Sequence, residues 1–369
     1  MPGRVTGLAA GGRRLSVWPP LPPQVWLRRP SPPLPFPLAE PGCRLLAWAR
    51  QGLWHGALAL GLTEGDEVLV PAYHHGSEVE ALIQTGLLPR FYDAPDGLEP
   101  DEATLDRLVT PSTRALHLTH FFGFPQDGFR WRRFCDERGL LLLEDAAQSW
   151  LSTRSGVPVG SHGDLAVFCL YKAVGLPERA LLLLSEPATR ASLDSRAGAG
   201  PLARKHGAWL ASRSATLTRA HARLRAPRAF DVRLDFGLRG RDDMPWSTTL
   251  FLLRRLVDVT ADRRRDNYQA LLDTLGDLVA PPFERLCPGA SPFLFPVETR
   301  DKATTLERLR LQRVEALDVW SAGHPTLPSE GYPDAEARRA RTLGLPVHQE
   351  LAPRDIDQIA TAVRRSIDP

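Results

Sequence analysis

The chain has 369 residues, with 46 basic against 43 acidic side chains, a net charge of +3, 43% apolar and 24% charged residues. At roughly 100–200 residues per domain this makes two domains, or one large domain with an appendage, and ample material for a core. The near balance of charge excludes nucleic-acid binding through bulk electrostatics, and the composition excludes a fibre or a mostly disordered chain.

Four cysteines, Cys43, Cys135, Cys169 and Cys287, are far apart and show no CxxC spacing, so neither a disulfide framework nor a thiolate zinc site is expected and a reducing compartment fits best. The longest apolar runs, such as Ala180–Leu184, fall far short of the roughly 20 residues that span a bilayer. The opening MPGRVTGLAAGGRRLSVWPPLPP lacks the order of a secretion signal, and the expectation is a cytoplasmic protein. Only three of the basic residues are lysines: Lys172, Lys205 and Lys302. Arginine cannot condense with an aldehyde, so any lysine-dependent chemistry has few candidates.

Residues 1–41 form a proline-rich arm, with ten prolines between Trp18 and Pro41. Proline removes backbone donors and fixes φ too often there for a helix or a central strand. Two readings of the arm stand level: a polyproline-type tail, or a strap lying across a partner subunit, since Trp18, Trp26 and Phe36 suit a solvated tail poorly.

Cys43–Leu62 carries helix-spaced apolar positions, and Val68-Leu69-Val70-Pro71 is a short buried strand closed by proline. Helices are predicted near Ser77–Thr85, Asp101–Leu108 and Gly128–Arg138. Strands are predicted at Arg90–Tyr92, Ala115–Thr119, Leu140–Leu143, Leu165–Leu170 and Ala180–Leu184. This alternation predicts an α/β fold with a mostly parallel sheet flanked by helices, because parallel strands need crossover connections and are buried on both faces. Past Ser185 an Arg/Ala-rich, helical stretch runs to about Ala229, and Trp246–Leu275 reads as one long helical region. A strand within Pro292–Val297 and a closing helix over Pro353–Arg365, capped early by Asp355, complete a smaller α+β C-terminal domain. The division is a large domain over 42–240 and a small one over 241–369.

Ligands of open parallel sheets bind beyond the carboxyl ends of the strands. Tyr73-His74-His75, His120, Glu144-Asp145 and Tyr171-Lys172 follow four of the strands. His117 and His120 face opposite sides of an extended chain, which argues against a metal pair. There is no GxxxxGK[ST], no GxGxxG after the first strand and no GxSxG, which disfavours the usual forms of nucleotide hydrolysis, dinucleotide binding and serine hydrolysis. A carboxylate, an aromatic ring and a scarce lysine on one edge suit pyridoxal phosphate: amine for the aldehyde, carboxylate for the pyridine nitrogen, flat side chain for the ring face.

Six segments, in order, resemble the DegT/DnrJ/StrS family of pyridoxal-phosphate-dependent, fold type I sugar aminotransferases. They are GDEVLVPAYHHGSEVEAL (Gly65–Leu82), THFFGFPQD (Thr119–Asp127), LLLEDAAQS (Leu141–Ser149), GSHGDLAVFCLYK (Gly160–Lys172), RRRDNYQAL (Arg263–Leu271) and LGLPVHQEL (Leu343–Leu351). The resemblance implies Lys172 as the catalytic amine, Asp145 as partner of the pyridine nitrogen and Gln148 as a contact to the cofactor's phenolic oxygen. It implies His75 as the ring-stacking residue, with Ala49, Arg50 and Cys169 where the family holds the cofactor phosphate. It also implies transfer of an amino group, from glutamate, to a nucleotide-linked keto-sugar in polysaccharide or glycoconjugate biosynthesis, and a homodimer whose sites borrow residues from the neighbouring subunit.

The chain departs from the family at several points. Trp48-Ala49-Arg50 stands for the usual SGT turn, Cys169 for a phosphate-binding serine, and Glu178-Arg179 lies near the place of a glycine pair. Lys172 follows Asp145 by two residues fewer than usual, as in the family's shorter SLxK version, and no asparagine-containing phosphate loop is evident around Asp231–Trp246. These departures set a second reading beside the first: a catalytically degenerate homologue acting as a partner or scaffold in a polysaccharide pathway.

Overall fold

The computed structural model describes residues 13–30, 33–95, 97–186, 200–213, 232, 236–238, 246–257 and 260–367. In chain order its strands are β1 (Leu15–Ser16), β2 (Cys43–Leu46), β3 (Glu67–Pro71), β4 (Leu88–Tyr92), β5 (Thr113–Thr119), β6 (Leu141–Asp145), β7 (Thr153–Arg154), β8 (Val157–Pro158), β9 (Leu165–Cys169) and β10 (Ala180–Leu184). The last four are β11 (Leu294–Glu298), β12 (Val314–Glu315), β13 (Leu317–Asp318) and β14 (Thr342–Pro346).

Seven strands form the main sheet in the order β2-β10-β9-β6-β5-β3-β4. The pairs from β9 to β4 are parallel, and β10 alone runs against both its neighbours. Burial on both faces explains the unbroken apolar runs: Val68, Leu69 and Val70 in β3 and Leu142 and Leu143 in β6 are each at most 1% exposed. Local chemistry sets the crossover helices. Asp101 accepts the Thr104 N–H at the start of Glu102–Leu108, Asp127 accepts the Arg130 N–H at the start of Gly128–Arg138, and Gly139 ends the latter in the left-handed region at φ 63°.

The small sheet is antiparallel, in the order β11-β14-β13. The helix Pro353–Ser366, packed on the helices Thr260–Leu275 and Lys302–Leu311, turns Ile356, Ile359, Ala362 and Val363 inward, a three-and-four spacing that makes one apolar face. Asp355 caps it by accepting the Ala352 N–H, as its position in the sequence suggests.

Two expectations need correction. Cys43–Leu62 is not one helix: Cys43–Leu46 is the edge strand β2, paired with Ala180–Leu183, and the helix is Ala49–Ala59. A four-residue apolar run beside a helix shows no period of its own, so only its pairing with β10 identifies it. Trp246–Leu275 is two helices, Trp246–Leu256 and Thr260–Leu275. Most of the Arg/Ala-rich stretch lies outside the described residues; within it Gly200–Ala211 is helical.

The described arm lies on its own chain. β1 pairs in parallel with β12, Arg28 grips Glu350 with bonds of 3.0 Å, and the Trp150 indole donates to Phe36 O at 2.9 Å. Leu15, Val17, Leu21 and Val25 are buried and so are core material contributed in cis, while Trp18, Trp26 and Leu27 of the same arm stay exposed.

Candidate active site

The carboxyl ends of β3, β5, β6 and β9 gather the candidate residues on one edge. Asp145 closes β6 between Thr119 of β5 and Val167 of β9. One carboxylate oxygen, Oδ1, accepts the Ala147 N–H at 2.8 Å, while Oδ2 faces His117 Nε2 at 3.6 Å, beyond hydrogen-bond reach. His117 is fully buried with both ring nitrogens unbonded, and the Thr119 hydroxyl beside Asp145 is unpaired as well. Buried polar atoms without partners are uncommon and mark this edge as unfinished. Gln148 accepts the Phe122 N–H through Oε1 at 3.0 Å.

Glu144 and His120 do not join Asp145, although their positions after the strands suggested it. Adjacent strand residues face opposite ways, and Glu144 instead accepts from His120 Nε2 (2.9 Å), His162 N (2.8 Å), Gly163 N (2.6 Å) and Gly160 N (3.1 Å). Burial pushes this carboxyl up, but the His120 bond and the backbone donors outweigh it and hold it below its ordinary range. The pair therefore organises the loop 160–163.

Lys172 sits in a single helical turn, Leu170–Ala173, directly after β9 and half-buried. Its Nζ lies 5.7 Å from the Phe293 ring centroid and has no hydrogen bond or ion pair among the described residues. Trp18 of the arm packs on Tyr171 and Phe293 at centroid distances of 5.8 and 5.5 Å, walling this turn. The other two lysines differ. Lys302 Nζ donates to Val319 O and Arg339 O and pairs with Asp318 at 2.6 Å. Lys205 is half-buried on Gly200–Ala211, where burial lowers its pKa to about 8 against the pull of Glu178.

His75 follows β3. Its N–H donates to Glu78 at 3.0 Å, its Nδ1 lies 3.0 Å from the Ser77 hydroxyl, and its ring meets Phe236 at 5.2 Å. Although His75 is exposed by surface area, surrounding protein desolvates the ring and lowers its pKa, with Lys172 and Arg50 acting in the same sense and Glu78 and Asp145 against it. Lys172, Arg50 and Asp145 thus all stand near enough to the His75 ring to act on its charge. Glu78 is buried, which raises its pKa, but His75 and His74 hold it at about 2. His74 donates from Nδ1 to Pro71 O at 2.8 Å and accepts the His324 N–H at Nε2 at 2.9 Å, and burial lowers it to about 4.

At the start of the helix Ala49–Ala59 the polar groups are already engaged. Arg50 lies 4.0 Å over the Trp48 ring and donates from Nε to Gly237 O at 3.1 Å. Gln51 accepts the Trp48 N–H and donates to Leu238 O at 3.0 Å. The Cys169 thiol has its pKa raised by burial and pulled down by Lys172 and, more weakly, by the nearby Ala49 N–H. Of the segment Asp231–Trp246 little is described beyond Phe236–Leu238, so the phosphate loop sought there lies mostly outside the described residues.

The sequence reading did not single out Trp18, His117, Phe293 or the segment 236–238 as neighbours of the site. A buried histidine at mid-strand was a usable signal for His117; the others depend on long-range packing that no local pattern reveals.

The profile of the DegT/DnrJ/EryC1/StrS aminotransferase family matches residues 49–176. The GDP-perosamine synthase of Vibrio cholerae is 34% identical over 114 residues, a stretch covering 31% of this chain and 31% of that protein, so under a third of that relative's length is spanned. Among solved structures, DesV of S. venezuelae, in complex with a ketimine intermediate, is 21% identical with a TM-score of 0.65, covering 88% of this chain and 84% of its own. The E. coli GDP-4-keto-6-deoxy-D-mannose-3-dehydratase with bound hydrated PLP is 19% identical with a TM-score of 0.60, covering 87% of each chain. These two share the fold: a seven-stranded, mostly parallel sheet joined to a small antiparallel one. The matched profile covers β3 to β9 and the turn that carries Lys172, so this part of the chain is similar to the DegT/DnrJ/EryC1/StrS aminotransferase family.

Proposed function

We propose that the protein is a pyridoxal-phosphate-dependent aminotransferase that moves an amino group from glutamate to a keto-sugar carried on a nucleotide, as a homodimer. The observation that carries this reading is the pair of unspent groups on one sheet edge: Lys172 Nζ, without a polar partner among the described residues, and Asp145 Oδ2, without a hydrogen bond. In a chain with three lysines, one of which is tied into the small domain by three contacts, a free amine at this place is a costly choice unless it is used.

Pyridoxal 5'-phosphate, when bound, supplies an aldehyde for the amine and a ring that withdraws electrons. Asp145 would hold the proton of the ring nitrogen. Gln148, whose carbonyl oxygen is committed to Phe122, keeps its amide N–H groups for the phenolic oxygen. His75 would cover the ring face, and Lys172 would move a proton at Nζ. Ala49, Arg50 and Cys169 would receive the phosphate, which requires Arg50 to exchange Gly237 O for it.

The test is a visible spectrum of the protein mixed with pyridoxal phosphate, followed by borohydride and peptide mapping. The decisive result is covalent fixation on Lys172. Fixation on Lys205 or Lys302, or none, overturns the reading.

The degenerate alternative has one observation behind it. The chain's own backbone at Gly237 and Leu238 occupies the side chains of Arg50 and Gln51 at the phosphate end. It forecasts no spectral change on adding the cofactor and no loss of pathway function in a Lys172→Ala strain.

A further inference from the structure

The helix Thr260–Leu275 carries a buried cation, Arg264, with no counter-ion among the described residues. Arg264 is 1% exposed, and no carboxylate bonds it among the described residues. Burial alone accounts for the lowering of its pKa to about 9. An arginine so placed must satisfy five N–H donors or lose several kcal/mol of solvation.

It satisfies all five, and the acceptors are informative. Nε donates to Gln349 Oε1 at 3.0 Å. One terminal nitrogen donates to Pro292 O at 2.7 Å and Phe293 O at 3.3 Å. The other donates to Lys172 O at 2.9 Å and Ala173 O at 2.7 Å. One guanidinium thus fastens the turn that bears Lys172, the segment whose Phe293 ring faces Lys172 Nζ, and the Gln349 loop that follows β14. Three of the six family-like segments, distant in sequence, converge on it. Its neighbours in the same segment dock elsewhere: Arg265 donates to Cys287 O and Ala290 O, and Asn267 to Val347 O and His348 O.

We propose that Arg264 is a positioning residue for Lys172: it fixes the backbone of the amine-bearing turn and of the Phe293 segment opposite, and so sets where Nζ stands relative to Asp145. The planar fork suits this role because its five donors are fixed in one plane, which a lysine cannot reproduce. Carbonyl acceptors suit it too, since a carboxylate would neutralise the cation without locating two strands of backbone. The inference rests on the proposed use of Lys172, and its test separates the two.

The experiment compares the whole protein with Arg264→Gln, Arg264→Lys and Arg265→Gln. It measures the rate of borohydride fixation of pyridoxal phosphate on Lys172, the position of the visible band, thermal stability, and hydrogen exchange of residues 170–174. Arg264→Gln is expected to slow fixation at least about tenfold, to shift the band and to raise exchange in the turn. Arg264→Lys, which keeps the charge and up to three donors, should recover part of each. Arg265→Gln should lower stability while leaving fixation and band unchanged. The proposal is overturned if Arg264→Gln keeps the parent rate and band, or if Arg265→Gln loses as much rate at equal loss of stability. Should Arg264→Gln not fold, Arg264→Lys decides: a parent-like rate and turn exchange would sink the idea. If the parent itself shows no fixation, the aminotransferase reading falls, and unchanged exchange of 170–174 in Arg264→Lys then removes the positioning role independently.

Discussion

The two ends of the candidate site differ in how their polar atoms are spent. At one end Asp145 Oδ2, both His117 nitrogens, the Thr119 hydroxyl and Lys172 Nζ lack hydrogen bonds among the described residues; at the other, Arg50 and Gln51 already bond Gly237 and Leu238. Unpaired buried groups are expensive, so the first end is arranged for something that supplies partners, while the second is self-sufficient. Two of the departures from the family's usual residues, Trp48-Ala49-Arg50 and Cys169, fall at the self-sufficient end, while the shortened spacing from Asp145 to Lys172 falls at the other.

The largest break in this comparison should come from Lys172→Ala. Half-transamination with glutamate is expected to fall by about 10³-fold or more, since proton transfer by a positioned amine alone is worth ~10²–10⁴-fold. Stability should be unchanged, because Nζ holds no hydrogen bond among the described residues; a single-turnover assay and a thermal melt read both. Next comes Asp145→Asn, where a neutral amide cannot hold the ring-nitrogen proton: the same half-reaction should drop by ~10²-fold with the fold intact. Retained activity would remove Asp145 from the mechanism.

At the other end, Cys169→Ser puts a hydroxyl where the buried thiol now stands, and pyridoxal phosphate should bind a few-fold more tightly, consistent with ~1 kcal/mol for one added hydrogen bond. No change in a titration followed by absorbance would place the phosphate elsewhere. The smallest effect belongs to Trp18→Ala. Because β1 and the Arg28–Glu350 pair still pin the arm, a loss of ~1 kcal/mol is expected from the two ring contacts, together with faster reaction of Lys172 with an amine reagent.

Acidity sharpens the contrast from below. His74 is buried and neutral, with its pKa lowered to about 4, whereas in the unfolded chain it binds a proton near the ordinary 6.5. The unfolded state therefore holds more protons between those values, and stability should fall as pH drops from about 6.5 towards 4. His348, lowered well below its ordinary value by burial, adds to the same trend. A melting temperature that is flat from pH 7 to pH 5 would contradict this.

The order of strands and helices from β3 to β10 was legible because buried strands and amphipathic helices carry distinct periods, and so was the place of Asp145 and Lys172 at strand ends. β2 was hidden beside a helix, being only four residues long. Glu144 stood next to Asp145 in sequence and was grouped with it, yet the alternation of a strand sends it to the opposite face, onto His120. Arg264 read as one arginine among many: nothing local distinguishes a cation that will meet five acceptors from one that will meet water. The arm's place on its own chain was equally out of reach, since proline content speaks of stiffness and not of destination.

The scarcity of lysine has a practical side. With Lys302 locked in place, the described structure leaves Lys172 and Lys205 as the side-chain amines open to acylation, and Lys205, lowered to about 8, would be largely uncharged in mildly alkaline buffer. An amine-directed label, mapped to two tryptic peptides, would thus report on the state of this pocket in crude extract, without purification or a known substrate.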